Sequence, residues 1–186
     1  MERTVRSVAW ERTDEWVGHS AGRIEATPGG WVFHGAEVLV APEPSSCWFR
    51  VEVDEGWVTR CAEVLGVGTS GERRLLLRAD RRWSRDGVRA PELDGCLDVD
   101  VAAAPLTNTL PIRRLLELPV GEAVTIPVAW VDVPELTVDR VEQTYRRLGP
   151  TDWEFRDPVH GPFRLSVDED GLVLDYEGLA RRVPPR

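Results

Sequence analysis

The chain has 186 residues, 42% of them apolar and 30% charged, the balance of a soluble domain long enough to bury a full core without staples. Its 23 basic residues are all arginine and face 32 acids, and the net charge of -9 argues against nucleic-acid partners and against anionic membrane surfaces. Cys47, Cys61 and Cys96 are widely spaced and odd in number, so neither a metal quartet nor a disulfide framework is expected.

The opening "MERTVRSVAWERTDEW" places charges where a signal peptide needs an apolar core. No run approaches the roughly 20 apolar residues of a membrane span. The expectation is one cytoplasmic, reduced domain spanning residues 1–186, with no stable membrane insertion and no cofactor.

Sixteen glycines and 14 prolines, many at the ends of short apolar runs, favour many strands over a few helices. "GWVFHGAEVLV" is densely apolar, as in a strand buried on both faces or bent at Gly35. "CWFRVEVDEGW" alternates, with Phe49, Val51 and Val53 on one face and Arg50, Glu52 and Asp54 on the other. "VTRCAEVLGVG" and "RRLLLRAD" follow as strands. The basic stretch "GERRLLLRADRRWSRDGVR" is interleaved with acids and reads as a solvated hairpin.

"CLDVDVA" sets Leu97, Val99 and Val101 on one face and Asp98 and Asp100 on the other. The corner that follows, "APLTNTLPIRRLLEL", predicts a short helix from about Leu110 to Leu116, with Thr-Asn-Thr as a cap and Pro111 in the first turn. "EAVTIPVAWVDV" reads as a strand whose Pro127 requires an edge or a bulge. "LTVDRVEQTYRRLG" fits either a helix or the first arm of a hairpin with "WEFRD", and the hairpin is preferred. "FRLSVDEDGLVLDYEG" is the clearest hairpin in the chain.

Two readings of the corner compete. Asp98 and Asp100 lie two apart on a strand, so both carboxylates share a face and suit acid/base work or a divalent ion. The plainer reading pairs them with Arg113 and Arg114, tying helix to sheet. Adjacent arginines diverge in direction, so one can face the acids while the other meets a ligand. The Asp168, Asp170, Gly171 and Glu177 spacing imitates part of a calcium loop, but Ser166 stands at its first position and strands flank it. His19, His34 and His160 lack ligand spacing, and no nucleophile elbow, phosphate loop or dinucleotide fingerprint is present. Eight tryptophans are in excess; most should fill the core, and a few can line a pocket.

The run "LDGCLDVDV…PLTNTLPIRRL", with "FRVEVDEGWVTRCAEV", "VDVPEL", "VEQTYRRL" and "VDEDGLVLDYEGL", resembles the bacterial glycolipid-binding family, formerly a domain of unknown function. The resemblance spans about Trp48 to Leu179. It implies a mainly β fold with short α segments, made of two similar antiparallel half-barrel meanders (about 1–106 and 107–186) forming one curved, cavity-bearing domain. It also implies a shape similar to periplasmic lipoprotein carriers.

The expectation is thus a non-enzymatic binder of a lipid or glycolipid in an aromatic-lined cavity. Asn108, Arg113, Arg114, Asp98 and Asp100 would meet the headgroup, and Trp57 and Tyr145 would supply aromatic surface. No metal site is assigned. The alternatives are an enzyme on a small apolar or sugar-bearing substrate using Asp98 and Asp100, and a protein-interaction domain.

Overall fold

Alternating patterns of the kind just read become strands along most of the chain. A computed structural model defines residues 5–79 and 82–184. Met1–Thr4 of the opening stretch, Asp80 and Arg81 of the basic hairpin, and the last two residues lie outside these. A first meander runs through β1 (Val5–Arg12), β2 (Val17–Thr27), β3 (Gly30–Ala41), β4 (Ser45–Asp54), β5 (Thr59–Gly68) and β6 (Gly71–Arg78), ending in the two-residue strands β7 (Ser84–Arg85) and β8 (Val88–Arg89). Each pairs antiparallel with its predecessor.

After β9 (Asp98–Val101) and the helix α1 (Thr109–Arg114), a second meander comprises β10 (Ala123–Val131), β11 (Val138–Arg147), β12 (Asp152–Arg156), β13 (Phe163–Val167), β14 (Val173–Tyr176) and β15 (Ala180–Arg182). β15 pairs with β1, Trp10 opposite Arg182, and β9 lies parallel to β10. All the strands therefore form one sheet, ordered β8 to β1 and then β15 to β9. The two outermost strands do not pair with each other. Instead the Thr59 N–H at the start of β5 donates to the Leu97 carbonyl at 2.8 Å, docking the β9 edge across the first meander.

The mainly β expectation holds, and several local readings follow it. In β4 the expected inward set, Phe49, Val51 and Val53, is buried. "VEQTYRRL" is strand, paired through β11 to "WEFR" in β12. β9 pairs only with Val128–Val131 of β10, so Pro127 falls just before that ladder, where β10 is an edge on that side. β9 itself departs from the simple alternation. Asp98 is 1% exposed while Leu97 is 42% exposed, because α1 and its flanks cover the acidic face as well.

α1 is shorter than expected and differently capped. Asn108 precedes it but makes no side-chain cap bond, because its amide donates to the Tyr145 hydroxyl at 3.0 Å instead. Every residue from Ala104 to Ile112 is buried. Leu110 joins a core cluster with Trp10, Phe33, Phe49 and Leu77. Ile112 joins a second cluster with Tyr145, Trp153, Phe155 and Leu165. Two residues apart on a helix point in nearly opposite directions, so this one turn packs into both halves of the interior.

Small residues make room for that packing. A Cβ on Gly35 would lie 2.0 Å from the Phe49 ring, and one on Gly66 would lie 2.5 Å from the Pro134 carbonyl oxygen of the β10–β11 turn. Gly35→Ala should therefore destabilise the fold by about 1–3 kcal/mol, the usual range for overpacking. Adding Phe49→Leu should recover part of that loss. A urea-unfolding double-mutant cycle reads the coupling, and strict additivity would contradict the assigned contact.

Candidate functional site

The acidic face of β9 opens onto a polar network. The Thr107 hydroxyl donates to Asp100 Oδ1 at 2.7 Å and the Gln143 amide donates to Asp100 Oδ2 at 2.6 Å. The Tyr145 hydroxyl donates to the Gln143 carbonyl at 3.3 Å and accepts from Asn108. Asp98 accepts from Arg114, whose side chain is itself mostly covered. Burial is the first cause raising both carboxyls to about 6, opposed at Asp98 by Arg114 and at Asp100 by its two hydrogen bonds. Burial also raises the Tyr145 hydroxyl, with the Asp100 charge next.

The seven residues singled out from the sequence thus fall into two groups. Asp98, Asp100, Asn108, Arg114 and Tyr145 share this interior, and Asn108, Asp98 and Tyr145 are sealed in it. Arg113 and Trp57 stand elsewhere. The Arg113 guanidinium lies 4.6 Å over the Trp57 ring, which stacks on Trp31 at 5.1 Å. Trp57 adopts φ 64°, in a tight turn where Asp54 accepts the N–H groups of Gly56 and Val58. This stack borders a recess of only about 30 Å³ beside Asp170 and Leu172, at the β13–β14 turn.

The larger recess lies at the other end of those strands, by the turns before β13 and after β14. It has a volume of about 600 Å³ and is walled by Trp16, Trp130, Phe163 and Tyr176. Asp14, Asp157 and His160 add polar groups to the wall. Trp130 is the register partner of Asp100, so both side chains stand on one face of the sheet. Asp100 is close enough to Asp157 and Tyr176 for its charge to interact with both. Although crowded by protein, it keeps part of its surface open.

Two further residues join this region, and sequence reading passed over both. Arg12 donates from Nε to Asp14 at 3.0 Å and from Nη2 to the same carboxylate, while its Nη1 is buried without a partner among the described residues. Glu37 is 5% exposed, and its Oε1 is likewise unpartnered among the described residues. Burial pushes its carboxyl up to about 8, with Arg12 opposing and Asp100 adding. The available signal was the position of Glu37 in "GWVFHGAEVLV", two residues on from Gly35 and four from Phe33, on the inward face. The recess walls carried no spacing signal, since they come from five separate segments. No group of three His, Cys, Asp or Glu side chains among the described residues is placed to hold a metal. Asp168 of the calcium-like turn instead accepts from Arg182 and from the N–H groups of Asp170 and Leu172.

Two measurements test this interior. Arg114→Ala should cost about 3–5 kcal/mol, because it leaves Asp98 buried and uncompensated. A joint Asp98→Leu, Arg114→Met variant should recover most of that loss, and equal stabilities for the single variant and the wild type would contradict the pairing. Glu37 keeps its proton in the folded chain up to about pH 8 but loses it near pH 4.5 when unfolded, so stability must fall as pH rises across that window. Asp98 and Asp100 add the same sign at its acidic end. Glu37→Gln should flatten the decline in thermal midpoint between pH 5 and 8, and an unchanged slope would show that Glu37 titrates normally.

The geometry can be set beside proteins already known. A family described as "Putative glycolipid-binding" matches residues 7–182. A crystal structure of a DUF1089 family protein from Pseudomonas aeruginosa is 32% identical, with a TM-score of 0.75, covering 88% of this chain and 92% of that one. No curated protein matches the chain. A match over almost the whole length, together with a shared fold at this identity, establishes that the chain belongs to the "Putative glycolipid-binding" family, formerly DUF1089.

Proposed function

We propose that this protein binds a glycolipid by its saccharide, with the sugar held in the recess walled by Trp16, Trp130, Phe163 and Tyr176. The observation that carries the reading is the composition of that recess. Aromatic faces stack on the C–H faces of a sugar ring, while carboxylates at the wall accept from its hydroxyls. At about 600 Å³ the recess lies within the roughly 300–1,000 Å³ usual for small-ligand sites. Large side chains and α1 fill the inside of the curved sheet, so an acyl chain joined to the sugar would run outward from the mouth. The description of the family supports the same ligand class.

A second reading has one specific observation in its favour. Asp98 and Asp100 both carry carboxyls raised to about 6, the range a general acid or base uses near neutrality. Asp98 is sealed against Arg114, so Asp100 is the carboxyl such an enzyme would present to a substrate. Asp100→Asn separates the two cases: a binder keeps most of its affinity, whereas an enzyme loses turnover of any glycoside it cleaves.

Titration with n-octyl β-D-glucopyranoside below its micelle concentration, read by tryptophan fluorescence, tests the binding reading. Trp130→Ala should weaken binding at least tenfold, the loss of about 1.4 kcal/mol or more expected of a stacking anchor. Equal affinities for Trp130→Ala and the wild type would overturn the assignment of the recess.

A further inference from the structure

Inside the sheet, three side chains from different strands come within charge-interaction range of one another, with hydrogen-bonding capacity left over. Arg12 closes β1, Glu37 faces inward from β3, and Asp100 comes from β9. The guanidinium of Arg12 spends Nε and Nη2 on Asp14, which belongs to the recess wall, and Nη1 is buried without a partner among the described residues. Glu37 Oε1 is buried and unpartnered in the same sense, yet Glu37 is near enough to Arg12 and Asp100 for their charges to interact. Arg12 also interacts with Tyr176 in the wall. A donor and an acceptor left unbonded in one interior, with a partly open carboxylate beside them, cost stability unless a third group serves both.

We infer that Arg12, Glu37 and Asp100 form an inner polar subsite, continuous with the recess, that takes an uncharged hydroxyl of the sugar. The inference rests on the saccharide-binding reading and narrows it to neutral sugars. A hydroxyl accepts from Arg12 Nη1 and donates to a carboxyl oxygen of Glu37 or Asp100, so it serves both sides at once. An anionic group would meet the carboxylates of Asp14 and Asp157 and the carboxyl of Asp100, and the guanidinium of Arg12 is already bonded to Asp14. A cationic group would suit the carboxyls but would face the Nη1 donor.

The test compares n-octyl β-D-glucopyranoside with n-octyl β-D-glucuronide on the wild-type chain and on Glu37→Leu, Glu37→Gln and Trp130→Ala. Tryptophan fluorescence reports the recess, and the carboxyl ¹³C resonance of Glu37 in the wild type reports the subsite without any substitution. The glucoside should bind the wild type at least tenfold more tightly than the glucuronide and should shift the Glu37 resonance. Glu37→Leu should lose at least tenfold in glucoside affinity, and Glu37→Gln, which keeps a polar group there, should lose less than about threefold. If the glucoside quenches fluorescence but leaves the Glu37 resonance unmoved, or if Glu37→Leu binds it as the wild type does, the recess stands and the subsite holds only water. Preference for the glucuronide also overturns the subsite while keeping the recess. Absence of binding by either glycoside overturns both.

Discussion

The stretch from Ala104 to Ile112 runs through the inside of the curved sheet, and most polar side chains it brings there find partners in that interior, the Thr109 hydroxyl excepted among the described residues. Thr107 is paired through Asp100, Asn108 through Tyr145, and Arg114, just beyond the buried stretch, through Asp98. An all-apolar plug would have filled the same volume without these bonds. What the polar plug adds is orientation: Thr107 and Gln143 clamp Asp100, the register partner of Trp130 in the recess wall.

The same plug explains why the two ends of the sheet differ. At the β13–β14 turn, Arg113 lies over Trp57, which stacks on Trp31, and a small recess remains beside them. At the other end, among the described residues, no arginine lies over Trp16, Trp130, Phe163 or Tyr176, and the larger recess is left between them. The cationic lid over one aromatic pair, and the acidic wall around the other aromatic group, give the ends opposite chemical character.

Much of this was legible in the chain. Clean alternation located β4, and the β13–β14 hairpin followed from alternation on both sides of a Gly-containing turn. Thr-Asn-Thr with Pro111 marked the helix, though its asparagine serves Tyr145 rather than the helix end. The seven proposed residues included the interior network because Asp98, Asp100 and Asn108 lie within one short segment. Glu37 and Arg12 escaped notice because an acid in a dense apolar strand, and an arginine near a charged start, each look like surface residues until both faces of the sheet are covered. The recess escaped because its walls come from segments more than a hundred residues apart, joined by β1–β15 pairing and by turns that periodicity does not describe.

The β1–β15 ladder also sets a timetable for synthesis. Trp10, Glu11 and Arg12 pair with Arg182, Arg181 and Ala180, so one edge of β1 remains open until residues 180–182 have been made and have left the ribosome. A nascent first meander would carry that bare edge and an uncovered concave face, both invitations to association with other chains. Contacts of such sequence separation slow folding, and production of this protein in quantity should therefore benefit from slower translation or from chaperones that shield strand edges.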